Sequence, residues 1–163
     1  LLAEFVEAGR SSLEMLLKSV DTRQLDEAVS ALAGARTVHI VGLRRSFPIA
    51  SYLAYAFEKM KVPAVLHSAV GGLGNISAIS SDDALIAITF SPYSTETLEL
   101  AETARANGIP VVALSDSAVN PLRKSGATLL TVTEIDFGAF RSLSATLCLA
   151  ITLAVAVGTR KTA

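Results

Sequence analysis

Residues 84–97 read ALIAITFSPYSTET, and this stretch indicates a strand that is followed at once by a helix. The run from Ala84 to Thr89 is too short for a helix and is largely apolar at consecutive positions, as in a strand covered on both faces. Pro92 interrupts the run, and Ser94 is a favourable residue for the start of the next helix. A strand, a polar loop and a helix in this order form the repeating unit of a parallel α/β sheet.

Four serine and threonine side chains lie within seven positions of this stretch, at Thr89, Ser91, Ser94 and Thr95. A buried polar group without a hydrogen-bond partner costs about 1–3 kcal/mol, so these hydroxyls either cap the backbone or bind a ligand. Capping by itself accounts for Ser94. Thr89 and Ser91 precede the cap at alternate positions and point to one side of the strand end, which favours a ligand.

The same unit recurs along the chain and predicts an α/β fold. Apolar runs that are too short for helices occur at five places: Thr37–Val41, Pro63–His67, Ala84–Thr89, Pro110–Ser115 and Ala127–Val132. Helical stretches lie between these runs, at residues 48–61, within 71–80, at 95–107 and at 119–125. We therefore expect a three-layer αβα sandwich around a five-stranded parallel sheet with the flavodoxin-like strand order 2-1-3-4-5.

Residues 1–163 are predicted to form a single domain, with N-terminal helices at 1–34, the sheet at 37–132 and a C-terminal helix at 138–158. The most apolar part of the last helix, Ser142–Gly158, is shorter than the ~20 residues that span a bilayer, so we expect a buried helix and no membrane partner. The first and last helices provide more apolar surface than one small sheet needs to cover. A homodimer is therefore expected.

The composition indicates a folded protein that does not bind nucleic acid by itself. Of the 163 residues, 51% are hydrophobic and 18% are charged, which allows a large core. The net charge is -1 and the 14 Lys and Arg residues are scattered, so the chain has no basic stripe for a phosphodiester backbone. The single cysteine, Cys148, lies in an apolar helical run and is interpreted as a packing residue. A chain that forms no internal disulfide fits a cytoplasmic location.

The first predicted strand ends in a loop of the same design. Gly42-Leu43-Arg44-Arg45-Ser46 precedes a helix that carries Pro48 in its first turn. In the order 2-1-3-4-5, strands one and three are neighbours where the winding reverses, so the loops at 42–46 and 89–95 face one crevice. Each loop leads into a helix N-terminus, whose amide protons and positive dipole favour an anion such as phosphate. The alternatives are that Ser46 is a plain N-cap and that both arginines are solvated.

These two loops resemble those of the sugar isomerase, or SIS, domain, which binds phosphosugars on a five-stranded parallel sheet. The family's glycine-rich turn that closes on Ser is matched by Gly42 and Ser46. Its second motif, Ser-x-Ser-Gly-x-Thr, aligns without a gap to residues 89–94, with Pro92 in place of the glycine. The resemblance and the loop argument together predict that the ligand contacts Gly42, Arg44, Ser46, Thr89, Ser91, Ser94 and Thr95.

Three further segments resemble the effector domains of RpiR-type bacterial transcription regulators: SPYSTET at 91–97, IPVVALSD at 109–116 and Phe140-Arg141-Ser142-Leu143 at the predicted start of the last helix. Such regulators carry an N-terminal helix-turn-helix domain. The chain begins with Leu1 rather than Met, in the helix that would follow such a domain. The resemblance implies a ligand-sensing domain that contacts DNA only through a domain missing from this chain.

An isomerase needs a general base next to the reacting carbon, and the candidates are few. His39 fits a satisfied core histidine, His67 ends strand two away from the crevice, and Glu134 fits a solvated loop carboxylate. The turn Gly71–Gly74 matches neither the dinucleotide fingerprint nor the P-loop motif. We therefore predict a phosphosugar-binding sensor with no catalytic residues, no metal and no cofactor. A phosphosugar isomerase and a dimerisation module with an empty crevice are the alternatives.

Overall fold

A parallel sheet lies at the centre of the structure, a computed structural model in which residues 1–68, 79–117, 119 and 121–163 are described. Its strands are β1 Val38–Gly42, β2 Ala64–His67, β3 Ala84–Ile88, β4 Val111–Ser115 and β5 Thr128–Thr131. They follow the order β2-β1-β3-β4-β5, and every neighbouring pair is parallel. The predicted strands and their order are therefore confirmed. The predicted Gly71–Gly74 turn and most of the helix expected within 71–80 lie outside the described residues.

Helices cover both faces of this sheet. Those within the described residues are α1 Leu2–Ser19, α2 Thr22–Ala33, α3 Phe47–Lys59, α4 Thr95–Ala106, α5 Pro121–Lys124 and α6 Ser144–Lys161. Helices α2, α3 and α6 lie on one side, around a core that includes Leu32, Leu53 and Leu153. Helices α4 and α5 lie on the other side, around Leu100 and Leu122. The predicted three-layer αβα sandwich is thus confirmed.

The sequence of β3 explains why this strand lies in the middle of the sheet. All of its residues are fully buried, with Ile86 and Ile88 in the core on one side and Leu85 and Ala87 in the core on the other. Successive side chains of a strand point to opposite faces, so a strand between two helical layers needs an apolar residue at every position. Full burial of one Ile or Leu side chain stabilises the fold by about 1.5–3 kcal/mol.

The C-terminal helix begins later than the sequence predicted. Residues 138–143 are not helical, and α6 begins at Ser144 and extends past 158 to Lys161. A short antiparallel hairpin precedes it, formed by β6 Asp136–Phe137 and β7 Phe140–Arg141. The segment Phe140–Leu143, which was expected to open the helix, therefore lies in this hairpin and the turn that follows it.

Two local features account for the hairpin and for the start of α6. Gly138 has a φ of 58°, a left-handed backbone conformation that glycine adopts without steric cost, and so the chain can reverse there. The carboxylate of Glu134 accepts hydrogen bonds from the backbone N–H groups of Ala145 and Thr146, at 3.1 Å each. These bonds satisfy amides at the first turn of α6 and thereby stabilise a helix start at this position.

Helix α6 is long and apolar enough to cross a membrane by length and composition alone, but one of its faces is buried inside the protein. Ala150, Leu153 and Val157 on that face are fully buried against the core. The prediction of a buried helix is confirmed for this face. The packing role predicted for Cys148 is wrong, because Cys148 lies on the opposite face with the exposed Ile151.

Candidate functional site

The two polar loops lie next to each other at one edge of the sheet. Strands β1 and β3 pair in parallel along their length, with Gly42 opposite Ile88 at their carboxyl ends. A short 3-10 turn at Arg44–Ser46 leads from β1 into α3, and residues 89–94 lead from β3 into α4. Since the strand order reverses between β1 and β3, this edge is the crevice in which open α/β sheets bind ligands.

The first loop depends on backbone geometry at Gly42 and Arg44. A Cβ atom on Gly42 would lie 2.9 Å from the carbonyl oxygen of Ser46, so only glycine lets the turn approach the strand this closely. Arg44 has a φ of 54°, a left-handed conformation that costs a non-glycine residue about 1–2 kcal/mol. Its guanidinium lies 3.3 Å from the carboxylate of Glu96 at the start of α4. This ion pair connects the two loops.

Ser46 stands at the N-terminus of α3 but does not cap it. Its side chain makes no capping hydrogen bond within the described part of the chain, although the residue is only 3% exposed. The N-cap interpretation of Ser46 is therefore wrong. The buried hydroxyl of Ser46 is therefore not used by the first turn of α3.

The second loop uses two of its hydroxyls to hold its own shape. The Oγ1 atom of Thr89 accepts a hydrogen bond from the backbone N–H of Ser94, at 2.9 Å. The Oγ atom of Ser94 accepts bonds from the backbone N–H and the hydroxyl of Thr97, at 3.2 and 3.1 Å. Capping by Ser94 is thus confirmed. Thr89 and Ser94 build the loop, whereas Ser91 and Thr95 are exposed at its surface.

The loops are also joined by contacts that the sequence did not reveal. The guanidinium of Arg45 donates a hydrogen bond to the backbone carbonyl of Ser91. Asp116, directly after β4, accepts bonds from the Ser91 N–H at 2.9 Å and from the Tyr93 hydroxyl at 2.8 Å. Burial raises the pKa of Tyr93, and the hydrogen bond and charge of Asp116 raise it further. The sequence signals for Asp116 were its position after a predicted strand and its place in the segment 109–116 that resembles RpiR-type effector domains.

Arg141, in β7, also lies beside the second loop, although the sequence pointed to it only as part of the segment 140–143 that resembles RpiR-type effector domains. Its Cζ atom lies 4.0 Å from the centre of the Phe90 ring, and Phe90 lies between Thr89 and Ser91. The hairpin thus contributes a cation beside the second loop. No pattern in the sequence predicts this placement, because it depends on a hairpin whose strands are only two residues long.

The candidate general bases belong to networks that stabilise the fold. His39 is 3% exposed; its Nδ1 lies 2.8 Å from His67 Nε2 and its Nε2 lies 2.9 Å from Asp83 Oδ2. This agrees with the interpretation of His39 as a satisfied core histidine. Burial lowers the pKa of His67, and the neighbouring His39 lowers it further. Glu134 is 7% exposed and caps α6, so its interpretation as a solvated loop carboxylate is wrong.

Asp83 is held ionised by its neighbours. Burial on its own would raise the pKa of this carboxyl, but hydrogen bonds from the Ser80 backbone N–H, His39 and Arg36 outweigh burial and lower the pKa to about 2. Asp83 precedes β3, at the opposite edge of the sheet from the crevice. The chain from Asp83 through His39 to His67 therefore fixes β1 and β2 side by side.

Comparison with known proteins gives one matching family and several similar chains. A profile of the SIS domain matches residues 31–156. An uncharacterised HTH-type transcriptional regulator of Clostridium perfringens is 26% identical over 82% of this chain and 48% of its own length. The HTH-type transcriptional regulator HexR of Pseudomonas aeruginosa is 28% identical over 75% of this chain and 43% of its own length. The chain thus spans less than half the length of these curated relatives.

Solved structures share the fold. The sugar isomerase domain of an RpiR transcription factor from Sphaerobacter thermophilus has a TM-score of 0.90 at 19% identity, covering 99% of this chain and 92% of that one. The Vibrio vulnificus NanR protein complexed with ManNAc-6P has a TM-score of 0.86 at 24% identity, covering 98% and 62%. A Methanococcus jannaschii protein with an inferred 3-hexulose-6-phosphate isomerase function has a TM-score of 0.66 at 18% identity, covering 98% and 88%.

Proposed function

The chain belongs to the SIS domain family, and from this premise we propose that it is the ligand-sensing domain of a bacterial transcription regulator that binds a phosphorylated sugar. The observation that carries the proposal is the crevice between β1 and β3, where Ser46 is buried without capping its helix. The similarity to HTH-type regulators and to a NanR protein complexed with ManNAc-6P supports the same assignment.

The phosphosugar is proposed to bind between the loops at 42–46 and 89–95. The N-termini of α3 and α4 offer backbone N–H groups and the positive ends of their dipoles to the phosphate. Ser46, Ser91 and Thr95 contribute hydroxyls that contact the ligand. The loop conformation that positions these hydroxyls depends on four further residues: Gly42, Arg44, Thr89 and Ser94.

Ligand binding is proposed to act on DNA through a helix-turn-helix domain outside this chain. The loops are joined by the Arg44–Glu96 ion pair and by the hydrogen bond from Arg45 to Ser91. A ligand that binds between the loops would therefore affect the positions of α3 and α4 together. Helix α3 packs against α6, which also contacts α1 and α2. Such coupling requires that the sugar binds two arrangements of these helices with different affinities.

The assembly is proposed to be a cytoplasmic homodimer. One stripe of α1 exposes apolar side chains at intervals of four and seven residues: Leu2, Val6, Leu13 and Leu17. Exposed Ile151 and Val155 form a second apolar patch on α6. Exposed apolar side chains along one helix face mark an interaction surface, and a second copy of the chain is its proposed occupant.

We propose binding without turnover. Two of the candidate bases have structural partners that support this proposal: His39 is buried between Asp83 and His67, and Glu134 caps α6. His67 ends β2, which is separated from β3 by β1. The runner-up is a phosphosugar isomerase, which the Methanococcus jannaschii neighbour favours.

The proposal is tested by thermal-shift measurements with a panel of sugar phosphates, each compared with the same sugar lacking phosphate. A ligand at 100 times its dissociation constant stabilises the folded state by about 2.7 kcal/mol, and only the phosphorylated members are expected to do so. Binding sugars are then incubated with the protein and followed by NMR. Formation of a ketose or epimer would show that the protein is an isomerase. Equal thermal shifts with the phosphorylated and unphosphorylated sugars would contradict a phosphosugar site.

A further inference from the structure

The guanidinium of Arg141 is held beside the crevice by an aromatic ring. Its Cζ atom lies 4.0 Å from the centre of the Phe90 ring, a cation–π contact. Phe90 itself is 2% exposed, and it lies in the loop that carries Thr89 and Ser91. The side chain of Arg141 is therefore positioned by the same loop that is proposed to hold the ligand.

One edge of this guanidinium has no partner. The Nε and Nη2 atoms of Arg141 are both buried, and neither makes a hydrogen bond to any described residue. A buried donor without an acceptor is destabilising, and the cost is greater when the group is charged. Nε and Nη2 lie on the same side of the planar group and project two parallel N–H bonds. That fork matches two oxygens of a carboxylate or a phosphate.

The nearby carboxylates do not fill this fork, because each has other donors or is solvated. Glu134 accepts bonds from Ala145, from the Thr146 N–H and from the Thr146 hydroxyl. Asp116 accepts bonds from Ser91 and Tyr93, and Asp136 is exposed.

Charged groups from several elements act on Arg141. Burial lowers the pKa of Arg141, the charges of Glu134, Asp136 and Asp116 raise it, and that of Arg45, in the first loop, lowers it. The carboxylates partly offset the cost of burying the charge, but none of them accepts a hydrogen bond from Nε or Nη2.

We propose that the Nε–Nη2 edge of Arg141 binds an oxyanion of the ligand side-on, which makes Arg141 a specificity-determining residue of the crevice. This inference rests on the proposed function, since it places the ligand between the same loops. The oxyanion is either the phosphate of the sugar or a carboxylate on its other end. Both present two oxygens to the fork, and the choice of probes separates them.

The test is isothermal titration calorimetry with inorganic phosphate, glucose 6-phosphate and 6-phosphogluconate, which adds a carboxylate. Arg141→Met keeps a stem on Phe90 and removes the charge, while Arg141→Lys keeps the charge and removes the fork. We expect Arg141→Met to weaken binding at least tenfold and Arg141→Lys to recover only part of that loss. If Arg141→Met loses affinity equally for both sugar phosphates, Arg141 binds the phosphate. If it loses affinity only for 6-phosphogluconate, Arg141 binds the carboxylate. The matched control Arg23→Met removes an exposed arginine of α2 and leaves each dissociation constant unchanged.

A second readout separates ligand contact from a structural role. The Nε–H signal of Arg141 in a ¹⁵N-resolved NMR spectrum, identified by its loss in Arg141→Lys, is expected to move downfield when a probe saturates the site. Unchanged affinity in Arg141→Met, or an Nε–H signal that no probe moves, overturns the inference about Arg141. The phosphosugar function survives that result if Ser46→Ala still weakens binding. If no sugar phosphate of the thermal-shift panel binds the wild type, the proposed function fails, and the response of the Nε–H signal to inorganic phosphate alone decides the role of Arg141.

Discussion

Single residues of the first loop show how the backbone sets the site. Gly42 is required because a Cβ atom would meet the Ser46 carbonyl oxygen at 2.9 Å. Arg44 adopts a left-handed φ of 54°, the conformation for which glycine is best suited. Its guanidinium forms an ion pair with Glu96 of α4. The residue thus combines a glycine-like backbone with a side-chain contact to the second loop's helix.

At the same scale, Asp83 is expected to make stability depend on pH. Its folded pKa of about 2 lies below the ordinary value of 3.8, so the ionised carboxylate stabilises the fold above pH 4. That contribution, of order 1–2 kcal/mol, is lost as the pH falls from about 4 to about 2. We predict that Asp83→Asn is less stable than the wild type at pH 7 and that the difference shrinks over this window. Urea unfolding at a series of pH values measures it, and a difference that is constant from pH 7 to pH 2 would contradict the prediction.

At the scale of elements, the strands were predictable and the hairpin was not. Short, largely apolar runs mark β1, β3 and β4 as strands between two layers, because both faces of each run are buried and each run is too short for a helix. The two-residue strands β6 and β7 carry no such pattern, and their pairing depends on Gly138. The start of α6 depends on Glu134, which is distant from the first helical amides along the chain. Arg141 could not be assigned to the site because its position follows from these tertiary contacts.

Glu134 is expected to be the residue that fixes the start of α6. Its carboxylate accepts bonds from two backbone N–H groups and from the Thr146 hydroxyl, so Glu134→Ala leaves buried donors unpaired. We predict a loss of about 1–3 kcal/mol in the free energy of unfolding, measured with urea. Glu14→Ala, at an exposed position of α1, is the matched control and should change it by less than about 0.5 kcal/mol. Equal stability of the two variants would refute a capping role.

At the scale of the whole molecule, the sandwich leaves apolar helix surface uncovered. The outer stripe of α1 is exposed at Leu2, Val6, Leu13 and Leu17, with Leu17 81% exposed. In a symmetric dimer, this stripe would pack against the same stripe of a second chain, and both would be removed from water. The same helix packs against α6, which in turn contacts α3. An interface on α1 is thus connected through packed helices to the helix that follows the first loop.

The homodimer is tested by sedimentation of the wild type and of Leu17→Glu. We expect the wild type to sediment at twice the chain mass of 17.0 kDa and Leu17→Glu to sediment as a monomer, because a charge would be buried at the interface. Val119→Glu, at an apolar position that is 88% exposed and lies outside α1, is the matched control and should remain a dimer. A wild-type monomer, or a Leu17→Glu dimer of unchanged affinity, would rule out this interface.

If the crevice between β1 and β3 binds a phosphorylated sugar, loss of the buried Ser46 hydroxyl is expected to weaken that binding. Isothermal titration calorimetry compares wild type, Ser46→Ala and Ser51→Ala with the sugar phosphate that stabilises the protein most. Ser51 is exposed on the same helix, α3, so its variant controls for loss of a hydroxyl outside the crevice. We predict that Ser46→Ala weakens binding about tenfold or more, as expected for one hydrogen bond to a charged group, while Ser51→Ala binds like the wild type. Equal dissociation constants for all three proteins would contradict the account.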